Sequence, residues 1–462
     1  MNDPVVLHDA SLETGARRVL LVQPPLYDTR LYWSDFLQPV ALLQLATALR
    51  RCGCDLRLLD ALWVGQGEAL KRQRVRQFHR DEVAVNYWRW GLPRGHLVQQ
   101  LDSLKGAGWS PDDIYLLAGP AYQWEGSAEA VKLVRRAFPG SRVLIFGQYP
   151  TTATEHACAH SGADVLMVGQ VKELAGLPLD LSLFPVRPRH SHLAIDTPER
   201  PIDDLISELR ALAAPADRKA RIAHIVFADQ DVLARFPAQM QAVLEAARDE
   251  RLGVTFHAFG GIAPGILARD AELAQLLFDA GLKQVIFTDD RDLPQTRESL
   301  AHHLDDCSAA TGRCVAAGYR WRTDALVGSV CLGRPQDQER LKEVAANLTE
   351  LAHIAGSVIV LPYQPDPSEC PGELPQEERN GKLFPLAPPG TYRDFMELIG
   401  LGAILNAKYR SRTFDFLGDG LIPRLVRQSL ITESWRPPAS DAGRPVTVGW
   451  FGKNGKWVRP PQ

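Results

Sequence analysis

The sequence lacks most of what would mark a secreted, membrane-spanning or nucleic-acid-binding chain. Cysteine is scarce: 7 in 462 residues (Cys52, Cys54, Cys158, Cys307, Cys314, Cys331 and Cys370), an odd number too thinly spread to staple an extracellular scaffold, so a reducing cytoplasm is expected. No stretch approaches the ~18 uninterrupted apolar residues that span a bilayer. The opening MNDPVVLHDASLETGARR carries Asp3, Asp9 and Glu13 where a signal peptide needs an apolar core. An excess of one charge is also missing. Lys plus Arg total 52 against 55 Asp plus Glu, net −3 and without long single-sign blocks, which disfavours a dedicated binder of nucleic acid or anionic membrane.

What is present is ordinary globular material. The chain is 45% hydrophobic and 23% charged, enough apolar residues for two or three domain cores. After a polar leader over 1–17, RVLLVQPP (18–25) reads as a buried parallel strand stopped by Pro24 and Pro25. PVALLQLATALRRCG (39–53) has helical apolar spacing between a proline and a glycine, and DLRLLDALW (55–63) is a second strand. The polar stretch 64–111, with KRQRVRQFHR and NYWRWGL, is expected to be helix plus an excursion. Strands at 112–120, 141–151 and 163–170 alternate with helices at 127–140 and 153–162, the pattern of an α/β, doubly wound, Rossmann-like domain over 18–175.

Residues 177–201 hold five prolines, and a linker is placed at 176–189. Beyond it, about six strand-helix units follow over 190–366, suiting a partial β/α barrel with its chemistry at the strand carboxyl ends. The remainder, 367–462, is expected to form a C-terminal helical region, with helices near 391–408 and 421–433, and an extended tail.

Candidate ligand-binding residues cluster at strand ends of the first domain. Gly147 and Gly169 each follow a buried strand, where a missing side chain permits close approach of a large planar or phosphate-bearing ligand; turn geometry alone explains either glycine equally well. Tyr122 and Trp124, or Gln148 and Tyr149, are candidates to pack near such a ligand, and simple packing explains loop aromatics at least as often. His156 and His160 share a helix face without the partners of a zinc motif and are read as a solvated face, and His302 and His303 as surface residues. Asp229, Asp289, Asp290 and Glu173 end strands, where they act in catalysis or cap the next helix with equal weight.

Strand-Pro24-Pro25, the helix after it, a strand ending in Asp60, and FGQYPTTATEHACAHSGADVLMVGQVKE (146–173) together resemble the cobalamin-binding domain of cobalamin-dependent radical S-adenosylmethionine proteins. That family commonly reads Gly-Gly-x-x-Pro-Thr and Gly-Glu-x-Glu in these two loops; here Phe146 replaces the first glycine, Gln170 and Lys172 replace the acids, and Glu173 falls one place late. The resemblance implies cobalamin contacts from Pro24, Pro25, Asp60, Tyr122, Gly147, Gln148, Tyr149, Pro150, Thr151, Gly169, Gln170 and Glu173. Asp60 and Gly65 keep the spacing of the mutase-type D-x-H-x-x-G signature, with Leu62 where that signature supplies a lower cobalt ligand.

RPIDDLISELRAL, IVFADQ, VTFHAFGGIAPGIL, DALVG and VIVLPYQPDP follow the order of the family's barrel, and NGKLFP (380–385) and LNAKYRSRTFDFLGDGL (405–421) resemble its C-terminal region. The barrel's C-x-x-x-C-x-x-C loop, whose thiolates hold a four-iron cluster, has no counterpart between HSHLAIDT (190–197) and DDLISEL. The resemblance therefore implies a cobalamin-binding protein without the cluster, an accessory subunit beside a cluster-bearing enzyme. Two alternatives stay open: a cobalamin-dependent methyltransferase working without radicals, and a structural interaction protein with vestigial sites. Binding of S-adenosylmethionine is left undecided, no protein metal ligand is assigned, and neither nucleic acid nor membrane is expected as a partner.

Overall fold

The computed structural model describes residues 4–8, 16–31, 36–63, 70–169, 171, 174–186, 188–195, 200–214, 222–227, 232–288, 297–321, 326–366 and 368–409, with short strands at 450–451 and 457–458. The chain packs as two units, one of Met1–His79, Ala84–Ala228 and Pro365–Pro385, the other of Arg80–Val83, Asp229–Gln364 and Leu386–Gln462. It is an α/β protein with parallel sheets.

In the first unit, β1 (Val5–His8), β2 (Arg18–Gln23), β3 (Leu26–Asp28), α1 (Val40–Arg51) and β4 (Asp55–Asp60) are followed by β5 (Arg72–Arg80), β6 (Val83–Trp90), α2 (Arg94–Gly106) and β7 (Asp113–Ala118). Then come α3 (Trp124–Ala137), β8 (Arg142–Gly147), α4 (Gln148–Thr152), α5 (Thr154–His160) and β9 (Val165–Val168). Six strands form one sheet in the order β1-β9-β8-β7-β2-β4, every pair parallel. The apolar run of β2 is continuous because both faces are covered. Val19 and Leu21 pack toward Leu42, Leu45 and Leu49 of α1, while Leu20 and Val22 face Leu97 and Leu101 of α2 and Val131 and Val134 of α3. Burying each such side chain contributes roughly 1.5–3 kcal/mol. β1 lies within the segment expected to be only a leader; four residues of VVLH are too short for a sequence signal, and pairing with β9 defines them.

The connection from β2 runs through α1 to β4 on one side, and that from β7 through α3 to β8 on the other. The order therefore reverses between β2 and β7, which opens a crevice outside their carboxyl ends. A second sheet, β3-β6-β5, belongs to this region. It is the excursion expected within 64–111, and α2 is the helix expected there. The segment RQRVRQFHR alternates with period two, and its cations stack on aromatic rings of β6, Arg72 at 4.4 Å from Trp88 and Arg76 at 4.8 Å from Tyr87. Asp81 and Glu82 join the strands with φ of 45° and 65°, the left-handed pair that a two-residue hairpin requires.

Farther along, β10 (His190–Leu193), α6 (Ile202–Ala213) and β11 (His224–Phe227) make a parallel strand-helix-strand segment with His190 opposite His224. In the second unit the order is α7 (Val232–Arg235), α8 (Pro237–Asp249), β12 (Thr255–His257), α9 (Pro264–Arg269), α10 (Ala271–Asp279), β13 (Val285–Phe287) and α11 (Arg297–Ala317). β14 (Leu326–Leu332), α12 (Leu341–Ala355), β15 (Val358–Pro362) and α13 (Tyr392–Tyr409) complete it, with a short pair β16 (Trp450–Phe451) and β17 (Trp457–Val458). β13, β14 and β15 are parallel neighbours, and single bridges Phe256–Leu282 and Ile262–Phe287 continue the pairing toward β12. Asn406 of α13 caps β15, its side chain accepting from the Val358 amide at 2.7 Å and donating to the Val358 carbonyl at 2.6 Å. Two glycines of this unit have packing reasons. A Cβ on Gly261 would stand 2.3 Å from Thr288, and one on Gly328 would stand 3.1 Å from Leu351. His303 is a correction: it is buried on α11, with Nε2 at 3.6 Å from Cys307 Sγ, one turn along the helix.

Candidate functional site

The candidate site lies along the carboxyl edge of the six-stranded sheet. Gly147 ends β8 with φ 110°, and a Cβ there would meet the Ala118 carbonyl of β7 at 2.3 Å, so its glycine is demanded by the neighbouring strand. The chain then turns into α4. Tyr149 and Pro150 face inward, while Gln148 and Thr151 stand exposed. The Thr151 hydroxyl donates to the Gly147 carbonyl at 2.8 Å and accepts from the Gly169 amide at 3.0 Å. One side chain thus ties the loops after β8 and β9 into a single polar rim.

Beside the rim, the Tyr149 hydroxyl lies 2.8 Å from His156 Nδ1, and the Trp124 ring stands 5.1 Å from His156 and 5.5 Å from His160. Burial and the neighbouring His160 lower the His156 pKa to about 4. Burial, with Cys158 nearby, pushes Tyr149 well above the usual phenol value. This histidine pair was read as a solvated face; His160 is exposed, whereas His156 is half-buried against two aromatic rings.

The crevice between β2 and β7 is closed by packing. Pro24 and Pro25 are buried, and α3 crosses so near that a Cβ on Gly126 would stand 1.9 Å from the Pro25 carbonyl. Next to them the fully buried Asp28 accepts from Gln123 Nε2 at 3.0 Å, Asn380 Nδ2 at 2.9 Å and Lys382 Nζ at 2.5 Å. Glu129 of α3 accepts from Arg89 Nη2 at 2.7 Å, Arg94 Nη2 at 2.8 Å and the Tyr27 hydroxyl at 2.5 Å. Burial pushes the Glu129 pKa up, but these donors outweigh it and hold the carboxylate below its ordinary value. Tyr27 is pushed up to about 12, by burial and then by Glu129. Tyr122 sits in this region as well, its hydroxyl held far above the ordinary range by burial and by Asp28.

NGKLFP, singled out in the sequence by resemblance, therefore supplies Asn380 and Lys382 to the plug and packs Leu383 beside Tyr27, Phe78 and Tyr87. Sequence reasoning missed Asp28, Glu129, Arg89 and Arg94. Their partners are up to 354 positions away, and an Asp three residues after a strand's proline pair carries no local signal.

Asp60 ends β4 apart from the rim, at the opposite side of β2. Burial raises its pKa to about 7, against the lowering effect of the Leu62 and Trp63 amides. It lines a cavity of about 490 Å³ with Arg50, Arg57, Trp63, Gln100 and Phe184. A larger cavity of about 780 Å³ runs beside α1 and α6, where the buried Arg200 pairs with Glu208. Of the residues implied by the resemblance, then, Gly147, Gln148, Tyr149, Pro150, Thr151 and Gly169 gather on the rim, Pro24, Pro25 and Tyr122 belong to the plugged crevice, and Asp60 stands alone. Gln170 and Glu173 lie outside the described residues, as do Gly65, Lys172, Asp229, Asp289, Asp290 and the tail beyond 409 apart from 450–451 and 457–458.

Among the described residues no three His, Cys, Asp or Glu side chains converge on a metal position, and no helix is long and apolar enough to cross a membrane. No protein-family model matches the chain, and no curated protein matches it significantly.

Proposed function

We propose that this chain is a cobalamin-binding protein related to the radical S-adenosylmethionine superfamily, without that superfamily's iron-sulfur cluster, acting as an accessory subunit to a cluster-bearing enzyme. The observation that carries the reading is the strand order β4-β2-β7-β8-β9. Numbered by connectivity it runs 2-1-3-4-5, the flavodoxin-like order in which ligands bind outside the strand carboxyl ends. In this reading the strand-helix units after residue 189 descend from a partial β/α barrel. The absence of a three-cysteine loop after the strand at 190–193 supports the loss of electron injection.

The rim fits a corrin edge. The exposed amide of Gln148, with a donor and an acceptor, and the remaining lone pair of the Thr151 hydroxyl, whose proton is already given to Gly147, are of the kind that corrin side-chain amides take, and these residues would hold it beside Gly169. The β2–β7 crevice, where that strand order reverses, is filled by Asp28, Gln123 and Lys382, so in this reading the corrin edge rests on the neighbouring loops after β8 and β9 at the same carboxyl ends. When bound, cobalamin supplies a cobalt centre able to carry a one-carbon group or electrons. The chain's own part is to orient the ring edge through Thr151 and to keep water from the sheet through Tyr149 and Pro150.

The test is a titration of the purified full chain with hydroxocobalamin, followed by gel filtration. The expected result is one equivalent of corrin retained, with binding about tenfold weaker in Thr151→Val. Free passage of the corrin through the column with wild-type protein would sink the reading.

A further inference from the structure

The basic segment KRQRVRQFHR has no part in the corrin reading. β5 is the end strand of the sheet β3-β6-β5, so among the described residues one side of its backbone has no neighbouring strand. Its two halves differ. From Arg76 onward the strand is anchored: Arg76 donates to both carboxylate oxygens of Glu125, at 3.2 and 2.9 Å, and pairs with Glu377 at 3.1 Å. Phe78 is buried, its ring 5.0 Å from that of Tyr87. Ahead of this anchor, Lys71, Arg72, Gln73, Arg74 and Val75 are exposed on both faces of the strand. Lys71 extends the pairing by one residue, its carbonyl accepting from the Gly91 amide at 2.9 Å. A strand end held in place by its other half thus shows solvent three cations in four positions.

These charges are not neutralised within the fold. Among the described residues neither Lys71 nor Arg74 has a carboxylate partner. The Arg72 guanidinium lies over Trp88 and Trp90, 4.4 and 5.4 Å from the ring centroids, which fixes it on the face it shares with Arg74. Val75, on the other face with Gln73, is 45% exposed.

Cations on an open edge bar two kinds of partner. A second copy of β5 would bring arginine against arginine, and a wholly apolar strand would desolvate charges that it cannot pair. A strand with carboxylates at alternate positions meets neither obstacle, because its acids fall on the arginine face and the side chains between them cover Val75. A nucleic-acid strand is matched less well. Arg72 already stacks on Trp88, and Trp90 is buried with its Nε1 donating to the Asp28 carbonyl at 3.2 Å, so the rings beside the cations are engaged rather than open to bases.

We propose that residues 71–75, at the open end of β5, are a docking edge for an extended acidic segment of a partner protein, which adds as a further strand and sets carboxylates against Arg72 and Arg74. Backbone ladder bonds supply affinity, and the arginines select the partner. The charge pairs lie at the surface, so association weakens as salt rises. This edge uses no residue of the corrin rim, and its test needs no cobalamin.

The probe is a fluorescent acetyl-Glu-Val-Glu-Val-Glu-Val-Glu-amide, titrated onto the full chain at low and at physiological salt. Salt-sensitive binding is expected, with slowed deuterium exchange at the amides of 72–77. Affinity should be about tenfold weaker in Lys71→Glu, Arg74→Glu. It should be unchanged in Lys105→Glu, Lys132→Glu, which makes the same change of net charge at exposed positions of α2 and α3. Two further peptides, N-methylated at every Val or at every Glu, keep the test independent of any variant's folding. Only one parity of amide in an added strand faces β5, so one of these peptides should lose binding to the wild type and the other keep it. No binding by the wild type, unaltered exchange in 72–77, equal affinity in the two double variants, or equal behaviour of the two methylated peptides would each overturn the proposal. So would an oligothymidylate that binds more tightly than the peptide and depends on Lys71 and Arg74, which would assign the edge to single-stranded nucleic acid.

Discussion

Asp28 Oδ2 lies 2.5 Å from Lys382 Nζ, an ion pair that joins residues 354 positions apart and closes the crevice above β2 and β7. Asp28 is fully buried and Lys382 nearly so. Removing one partner of such a pair leaves an uncompensated charge in a low-dielectric site. Lys382→Met is therefore expected to destabilise the protein by about 3 kcal/mol, and Asp28→Asn with Lys382→Met by less than the sum of the single changes. Urea denaturation of the four proteins measures the cycle; strict additivity would show that the pair is not coupled.

Gly126 offers a steric test of the same closure. An alanine Cβ would stand 1.9 Å from the Pro25 carbonyl, a contact that only a shift of α3 relieves. Gly126→Ala should cost on the order of 3 kcal/mol, whereas Gly140→Ala, where a Cβ meets nothing within 4 Å, should be close to neutral. Equal melting temperatures for the two variants would contradict the packing described.

Asp60 predicts a pH-dependent gain. Its folded pKa of about 7 exceeds the unfolded value near 3.8, so the fold favours the protonated form and loses stability as pH rises through that window. Asp60→Asn cannot ionise. Its advantage over wild type should be small at pH 4 and grow to about 2–4 kcal/mol at pH 8, measured as denaturation midpoints at both pH values. An advantage independent of pH would mean that Asp60 is not held in a desolvated site.

His156 gives the opposite sign. Its folded pKa near 4 lies below the unfolded 6.5, so its contribution is complete above about pH 6.5 and is lost as pH falls through 4. The ring is half exposed, which limits the effect on stability to less than about 1 kcal/mol. Titration of its ring protons by NMR is the direct measurement: a midpoint near 4 is expected, moving upward in His160→Gln as the neighbouring imidazole is removed. A wild-type midpoint at 6.5 would place the ring in solvent.

The sequence by itself determined the α/β class and most strand and helix positions, because those follow from local periodicity and from breakers. VLLV before Pro24-Pro25, the run VLIF before Gly147 and the capped helix at 40–51 are each readable within a dozen residues. Where local pattern was ambiguous the reading stayed coarse: 64–111 was expected to hold a helix and an excursion, α2 is that helix, and stacking of Arg72 and Arg76 on rings of the next strand makes RQRVRQFHR part of a hairpin. Only the tertiary structure could bring NGKLFP back onto Asp28, bury His303, and set His224 against His190. Those relationships depend on which strands become neighbours, and strand adjacency is fixed by packing summed over the whole chain, while sequence pattern reports only the few residues that one helix turn or one strand can reach.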